Sequence, residues 1–207
     1  MEKPYVIENG QRVFNFKKTL YYIQYTGRKK YGPTFTLHRE DVQTLRKLII
    51  YMIYEEELCK KEGIDLKKGI LLIGPIGSGK TTIMTLMRQF LFPEQDYVIK
   101  SATDIALEFH KEGTDVIQRE GHRHKILCFD DLGAETNKKH YGSDFNTMAE
   151  ILLKRYKLQV NHGIITHATT NLNADELCEL YGNRVRSRLR KMFNLISFPK
   201  GTIDKRV

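Results

Sequence analysis

Gly74-Pro75-Ile76-Gly77-Ser78-Gly79-Lys80-Thr81 reads G-x-x-x-x-G-K-T, the pattern of a phosphate-binding P-loop. Ahead of it, Gly69-Ile70-Leu71-Leu72-Ile73 is an apolar run of strand length. Behind it, from Lys80 to Phe92, Ile83, Leu86, Met87, Phe90 and Leu91 recur at helical spacing until Pro93 stops the pattern. The glycines let backbone N–H groups turn inward around a phosphate, and the new helix points its positive end at the same anion. Lys80 is placed to reach the β- and γ-phosphates, and the Thr81 hydroxyl to ligate Mg²⁺. The segment Gly74 to Thr82 is therefore the expected cradle for ATP.

A second signal lies about 50 residues further on. Ile126-Leu127-Cys128-Phe129 is a third expected strand and runs into Asp130-Asp131-Leu132-Gly133-Ala134-Glu135. An apolar strand ending in acids is the Walker B pattern, at the sheet edge where ligands of parallel α/β folds gather. Asp130 is expected to hold Mg²⁺, and Asp131 to orient or deprotonate an attacking water.

The remaining chain reads as alternating strands and helices. Tyr97–Lys100, Ile164–Thr169 and Leu195–Phe198 are the other expected strands. Glu40–Glu62 has helical spacing with a stop at Gly63, Ile105–Phe109 marks a helix ended by Gly113, and Asp115–Arg119 a further short one. A long helix is expected from Asp144 to Val160, with Phe145, Met148, Ile151, Leu152 and Tyr156 on one side. Asn171, at the tip of the fourth core strand, suits holding a water near the γ-phosphate, or capping a helix over Ala174–Leu180, or both. A short helix at Gly182–Arg190 carries four arginines, with Arg184 and Arg188 on one face. It reads either as a solvated basic face or as an arginine finger that stabilises charge in a neighbouring subunit's site. Residues 1–38 form a basic, aromatic extension, expected as short strands at Val13–Phe16 and Leu20–Tyr25 with turns at Gly27 and Gly32-Pro33; residues 39–207 form the core.

Composition narrows the classes. With 41% hydrophobic and 29% charged residues in 207, the chain has the makeup of a soluble globular protein, and a cytoplasmic location is expected. No apolar run approaches the ~20 residues of a membrane span. Three scattered cysteines without metal spacing point to reduced thiols. His122 and His124 lack a cysteine or carboxylate beside them, so the loop is read as solvated rather than as a metal site. The net charge of +9 gathers at the two ends: residues 1–40 hold eight Lys/Arg against three Glu, and residues 183–207 hold eight against Asp204 alone. An acidic partner fits, nucleic acid foremost.

Four stretches together resemble the AAA+ ATPases of the DnaC/DnaI helicase-loader group, which includes IstB-like transposition helpers: GPIGSGKT at 74–81, ILCFDDLGAE at 126–135, ITHATTNL at 165–172 and YGNRVRSRLRKMF at 181–193. The resemblance implies an α/β P-loop core with about five parallel strands between helices and a minimal or absent lid domain. It also implies ATP with Mg²⁺, single-stranded DNA, and a homo-oligomer sharing its ATP sites between subunits. Asn171 would be sensor 1, Arg188 or else Arg184 the finger acting in trans, and Arg206 a sensor 2 arginine. Asp131 stands where many AAA+ members have Glu, which predicts slow hydrolysis.

The leading expectation is an ATP-hydrolysing accessory of DNA replication, with a replicative helicase as candidate partner. A transposase helper acting on duplex DNA is the alternative within the family. A P-loop small-molecule kinase is the alternative outside it, and a nucleotide-gated DNA-binding module without turnover a third.

Overall fold

A computed structural model describes residues 3–8, 11–135 and 146–205. Strands β1 (Tyr5–Glu8) and β2 (Gln11–Phe14) pair as an antiparallel hairpin and lead into α1 (Phe16–Tyr31). After a 3₁₀ turn at Arg39–Asp41 come α2 (Val42–Met52), α3 (Glu56–Lys61), β3 (Gly69–Ile73) and α4 (Lys80–Met87). Then follow β4 (Val98–Ser101), α5 (Ala102–Glu112), α6 (Thr114–Gly121) and β5 (Leu127–Asp130). The last elements are α7 (Thr147–His162), β6 (Thr166–Thr170), α8 (Ala174–Met192) and β7 (Phe193–Ser197).

The five later strands form one parallel sheet in the order β4-β5-β6-β3-β7, as expected for a P-loop core. Side chains alternate across it. Ile70 and Leu72 of β3 join Cys128 and the helices α1 to α4 on one face. Leu71 joins Leu127, Phe129, Ala168 and the helices α5 to α8 on the other. Both faces are covered, which is why the strands read as continuous apolar runs rather than alternating ones. Among the described residues no helical lid follows β7.

Two buried polar groups fasten this sandwich. Arg155 of α7 is fully buried and donates to Thr166 Oγ1 (2.9 Å) and to the carbonyls of Arg123 (2.6 Å), Lys125 (3.0 Å) and Ile165 (3.1 Å). It thereby joins α7 to the starts of β5 and β6, and burial lowers its pKa to about 10. On the other face His167, on β6, accepts the Ile70 N–H at Nδ1 (3.0 Å) beside the rings of Tyr51 and Tyr97. β3 and β6 approach so closely that a Cβ at Gly69 would lie 1.7 Å from the Thr166 carbonyl oxygen, so this position admits glycine alone.

The structure corrects several sequence-based expectations. Leu20–Tyr25 is helical, not a strand: Asn15 caps α1 by accepting from Lys18 N–H (2.9 Å), and Thr19, Ile23 and Gly27 recur on its buried face. Gly27 marks no turn; it is small because the Phe35 ring packs on it, 2.1 Å from where a Cβ would stand. The single helix expected over Glu40–Glu62 is two, broken where Tyr54 takes φ 58°. The helix after the P-loop ends at Met87 and tightens into a 3₁₀ turn through Phe90. The two helices expected at Ala174–Leu180 and Gly182–Arg190 are present as the two halves of α8, separated by the non-helical Gly182 (φ 80°, ψ 163°). The N-cap of α8 is Asn173, in a capping box with Glu176, and not Asn171. The last strand starts two residues earlier than expected, at Phe193. Asp144 and Phe145 lie outside the described residues, and α7 is described from Thr147.

Candidate nucleotide site

The loop after β3 turns at Gly77 (φ 77°) and Gly79 (φ 89°), both in the left-handed region that glycine enters without a Cβ penalty. Gly79 delivers the chain into α4, so the helix starts with its N–H groups open toward the loop. Lys80 is buried and donates to the carbonyls of Gly74 (2.9 Å) and Pro75 (3.1 Å) and to Asn171 Oδ1. A loop that holds its own lysine by carbonyl oxygens keeps a charge in place for an anion to claim.

Thr81, one residue on, donates to the Asp130 carboxylate at the end of β5 (2.9 and 2.8 Å to its two oxygens). The Thr169 hydroxyl donates to Asp130 Oδ1 (2.7 Å) and accepts the Asp131 N–H (2.9 Å). Asp131 stands at φ 52°, unusual for a residue with a Cβ, which turns the chain away from the strand. Thr169 and Asn171 are two apart around the tip of β6, so one steadies the acids and the other reaches Lys80.

Of these groups Lys80, Thr81 and Asp131 line a cavity of about 630 Å³, and Asn171, Asp130 and Thr169 are hydrogen-bonded to them. Gly77 to Ile83 and Asp131 line it together with Tyr31, Phe35, Leu37 and His38, and Asp41, Asp204 and Lys205 line it too. Such a volume, lined by the phosphate-binding loop and by aromatic and apolar side chains, suits a nucleotide. Thr81 and Asp130 offer a hydroxyl and a carboxylate, hard oxygen donors fit for Mg²⁺. No group of three or more His, Cys, Asp or Glu that could hold a metal occurs among the described residues. The rest of a Mg²⁺ shell would have to come from phosphate and water, as is usual for this ion at phosphate sites.

Most of the expected site residues thus converge: Gly74 to Thr82, Asp130, Asp131 and Asn171. The arginines do not. Arg188 leans on its own helix, donating to the Arg184 carbonyl (3.2 Å) with its guanidinium 5.8 Å from the Tyr156 ring centre, and neither arginine lines the cavity. Arg206 lies outside the described residues.

Three contributions were not anticipated. Thr169 sits within the ITHATTNL stretch, and its position two residues before Asn171, at the tip of the same strand, is the signal that finds it. The chain's tail is the second: Lys205 donates from its backbone to Gly77 O and from Nζ to Ser78 O (both 3.0 Å) and to Asp41. The third is Glu135. It is buried, accepts from Tyr181 Oη–H and from Gly133 N–H (2.8 Å), and burial raises its pKa.

Residues 70–195 match the family model described as "ATPase family associated with various cellular activities (AAA)". The chain belongs to this family. No curated protein matches it in sequence. Among solved structures, this AAA protein is similar to the DnaC helicase loader (15% identity, TM-score 0.53, covering 81% of this chain and 95% of that one). It is also similar to DnaI (18%, TM-score 0.57, 80% and 88%). A third is the replication initiator DnaA bound to AMPPCP and single-stranded DNA (16%, TM-score 0.54, 80% and 48%). At these identities the likeness is one of fold, and it bears out the resemblance read from the motifs.

Proposed function

We propose that this AAA protein binds ATP with Mg²⁺, hydrolyses it, and acts on DNA as a helicase-loader-like accessory factor that assembles on single strands. The observation that carries the reading is the meeting of Lys80, Thr81, Asp130 and Asn171, from three separate strand ends, in one set of hydrogen bonds whose Lys80 and Thr81 line a nucleotide-sized cavity. In this reading the loop N–H groups and Lys80 hold the phosphates, Lys80 exchanging its carbonyl partners for anionic oxygens. Asn171 and Asp131 position a water in line with the terminal phosphate, and Asp131 accepts its proton. Thr81 and Asp130 would hold Mg²⁺, which would neutralise charge developing on the phosphates. The shorter reach of Asp131 makes the water less well held than Glu would, so turnover is slow until assembly brings Arg188 or Arg184 from the next subunit.

DNA as the ligand is supported by the charge of +9 and by one surface. On α1, Tyr21 and Tyr25 are 56% and 47% exposed one turn apart, and Lys29 follows at the same spacing. Exposed rings interleaved with cations suit bases and phosphates of a single strand. The kinase alternative wants arginines closing over a second substrate, and Arg184 and Arg188 do not line the cavity.

The test is steady-state ATP hydrolysis across protein concentration, with single-stranded DNA, duplex DNA or none, and Lys80→Ala as control. A rate per subunit that climbs with concentration and with single strands supports the reading. A preference for duplex moves it to the transposition-helper alternative, and a flat, DNA-insensitive rate overturns shared sites.

A further inference from the structure

The chain from Asp131 to Glu135 is fastened on both sides. Leu132 donates its N–H to Thr169 O (2.8 Å) and accepts from the Thr170 hydroxyl (2.6 Å), while Ala134 N–H closes on Asp131 O (2.9 Å). Those bonds tie the turn to β6 and the nucleotide cavity. From the other side Glu135 ties it to α8. One carboxylate oxygen accepts from Gly133 of the turn, the other from the Tyr181 hydroxyl, and both side chains are buried.

Tyr181 immediately precedes Gly182, where α8 leaves helical geometry. Beyond that break lie Arg184, Arg186, Arg188 and Arg190. Gly133, with φ +96°, packs so tightly against Leu172 that a Cβ would come within 2.4 Å of it, so the turn has little slack to absorb movement. A buried carboxyl that loses one of its two donors carries an unmet desolvation cost. The turn and Tyr181 therefore move together, and the segment that yields is the one already out of helical geometry.

We propose that Glu135 and Tyr181 are a positioning pair: they tie the Asp131 turn to the break in α8, so that occupancy of the nucleotide cavity resets the angle at Gly182 and with it the placement of the arginine-bearing half of the helix. The inference rests on the nucleotide-binding reading above. It gives the arginines, which do not line their own subunit's cavity, a mechanical connection to it.

The protein contains its own reporter. Cys178 Sγ, before the break, donates to Asn183 Oδ1, beyond it (3.2 Å), and Cys178 is partly exposed while Cys59 and Cys128 are buried. Its alkylation rate therefore reads the angle. In the full chain, Mg²⁺ with a non-hydrolysable ATP analogue is expected to change that rate by about fivefold, the lower end of an ordinary coupling. Tyr181→Phe, which keeps the ring and removes only the hydroxyl, is expected to bind the analogue with unchanged affinity and lose the rate change. Should it not fold, Glu135→Ala cuts the same connection from the turn's side. A rate change that persists in a variant that binds, or one missing from wild type that binds, overturns the inference and leaves the nucleotide reading standing. Failure of the wild type to bind the analogue removes both.

Discussion

Lys205 and Asp41, from opposite ends of the chain, form an ion pair beside the P-loop, with their side chains only 15% and 5% exposed. Asp41 precedes α2, and its second oxygen has no hydrogen-bond partner among the described residues, so the lysine is what compensates its burial. The pairing lays the tail across Gly77 and Ser78 and brings the Asp204 carboxylate within 2.0 Å of where a Gly77 Cβ would be. A carboxylate set on a phosphate-binding loop repels the phosphate it would share that loop with. Asp204→Asn is expected to tighten ATP binding by roughly fivefold, about 1 kcal/mol for one charge in a partly solvated site. Titration calorimetry of the two proteins at equal ionic strength checks it, and weaker binding by the variant would place the carboxylate as a supporting ligand instead.

Lys80 and Asn171 separate binding from turnover. Removing Lys80 takes away the cation that the carbonyls of Gly74 and Pro75 hold, and Lys80→Ala is expected to weaken ATP binding about 100-fold or more. Asn171→Ala leaves the loop intact and removes the polar group beside Lys80, so affinity is expected to hold within a few-fold while kcat falls about 100-fold. Binding measured by calorimetry and kcat measured at saturating ATP distinguish the two; a parallel loss of affinity in Asn171→Ala would reassign it to nucleotide binding.

Much of this was legible from local pattern. The P-loop and the acids after β5 are contiguous motifs with fixed spacing, and the parallel strands are buried on both faces, so apolar runs announced them. What escaped depends on contacts far apart in sequence. Leu20–Tyr25 mixes apolar and polar residues at a spacing that serves either period, and only the core supplied by α2 and α4 decides for helix. Gly27 reads as a turn and Gly69 as the start of a strand by sequence alone; the Phe35 ring and the Thr166 carbonyl are what require glycine there. Glu135 belonged to a quoted motif, but its partner Tyr181 lies 46 positions on. Asn171 offered two roles, and the cap went to Asn173 because Glu176 completes a capping box there.

The arginines supply a test of shared sites. Arg184 and Arg188 do not line the cavity of their own chain, and the proposed function gives them their part in hydrolysis in a neighbour's site. Arg188→Ala is expected to bind ATP normally and to lose hydrolysis by about 1000-fold, in the range of a missing arginine finger. Mixed with Asp131→Asn subunits, it is expected to recover part of the rate, because some interfaces then pair an intact Asp131 with an intact Arg188. Mixtures no faster than the separate variants would count against a composite site, and Arg184→Ala in the same design tells which arginine acts.

His167 makes acid stability a measurable property of the sheet. Its Nδ1 accepts the Ile70 N–H inside the fold, and complete burial pushes its pKa down to about 3. Unfolded, the imidazole titrates near 6.5. The folded-state pKa is the lower one, so the unfolded chain binds the extra proton between these values. The stabilisation is then fully present above pH 6.5 and is lost as the pH falls toward 3. One such group contributes a slope of up to about 1.4 kcal/mol per pH unit. His167→Gln keeps an acceptor for Ile70 but cannot take up a proton. It is expected to be less stable than wild type at pH 7, for lost packing against Tyr51 and Tyr97, and to close that gap as the pH drops from 6 to 4. Urea unfolding of both proteins across this range measures the difference free of the carboxylates they share. A gap that stays constant with pH would mean that His167 takes up its proton without leaving the sheet.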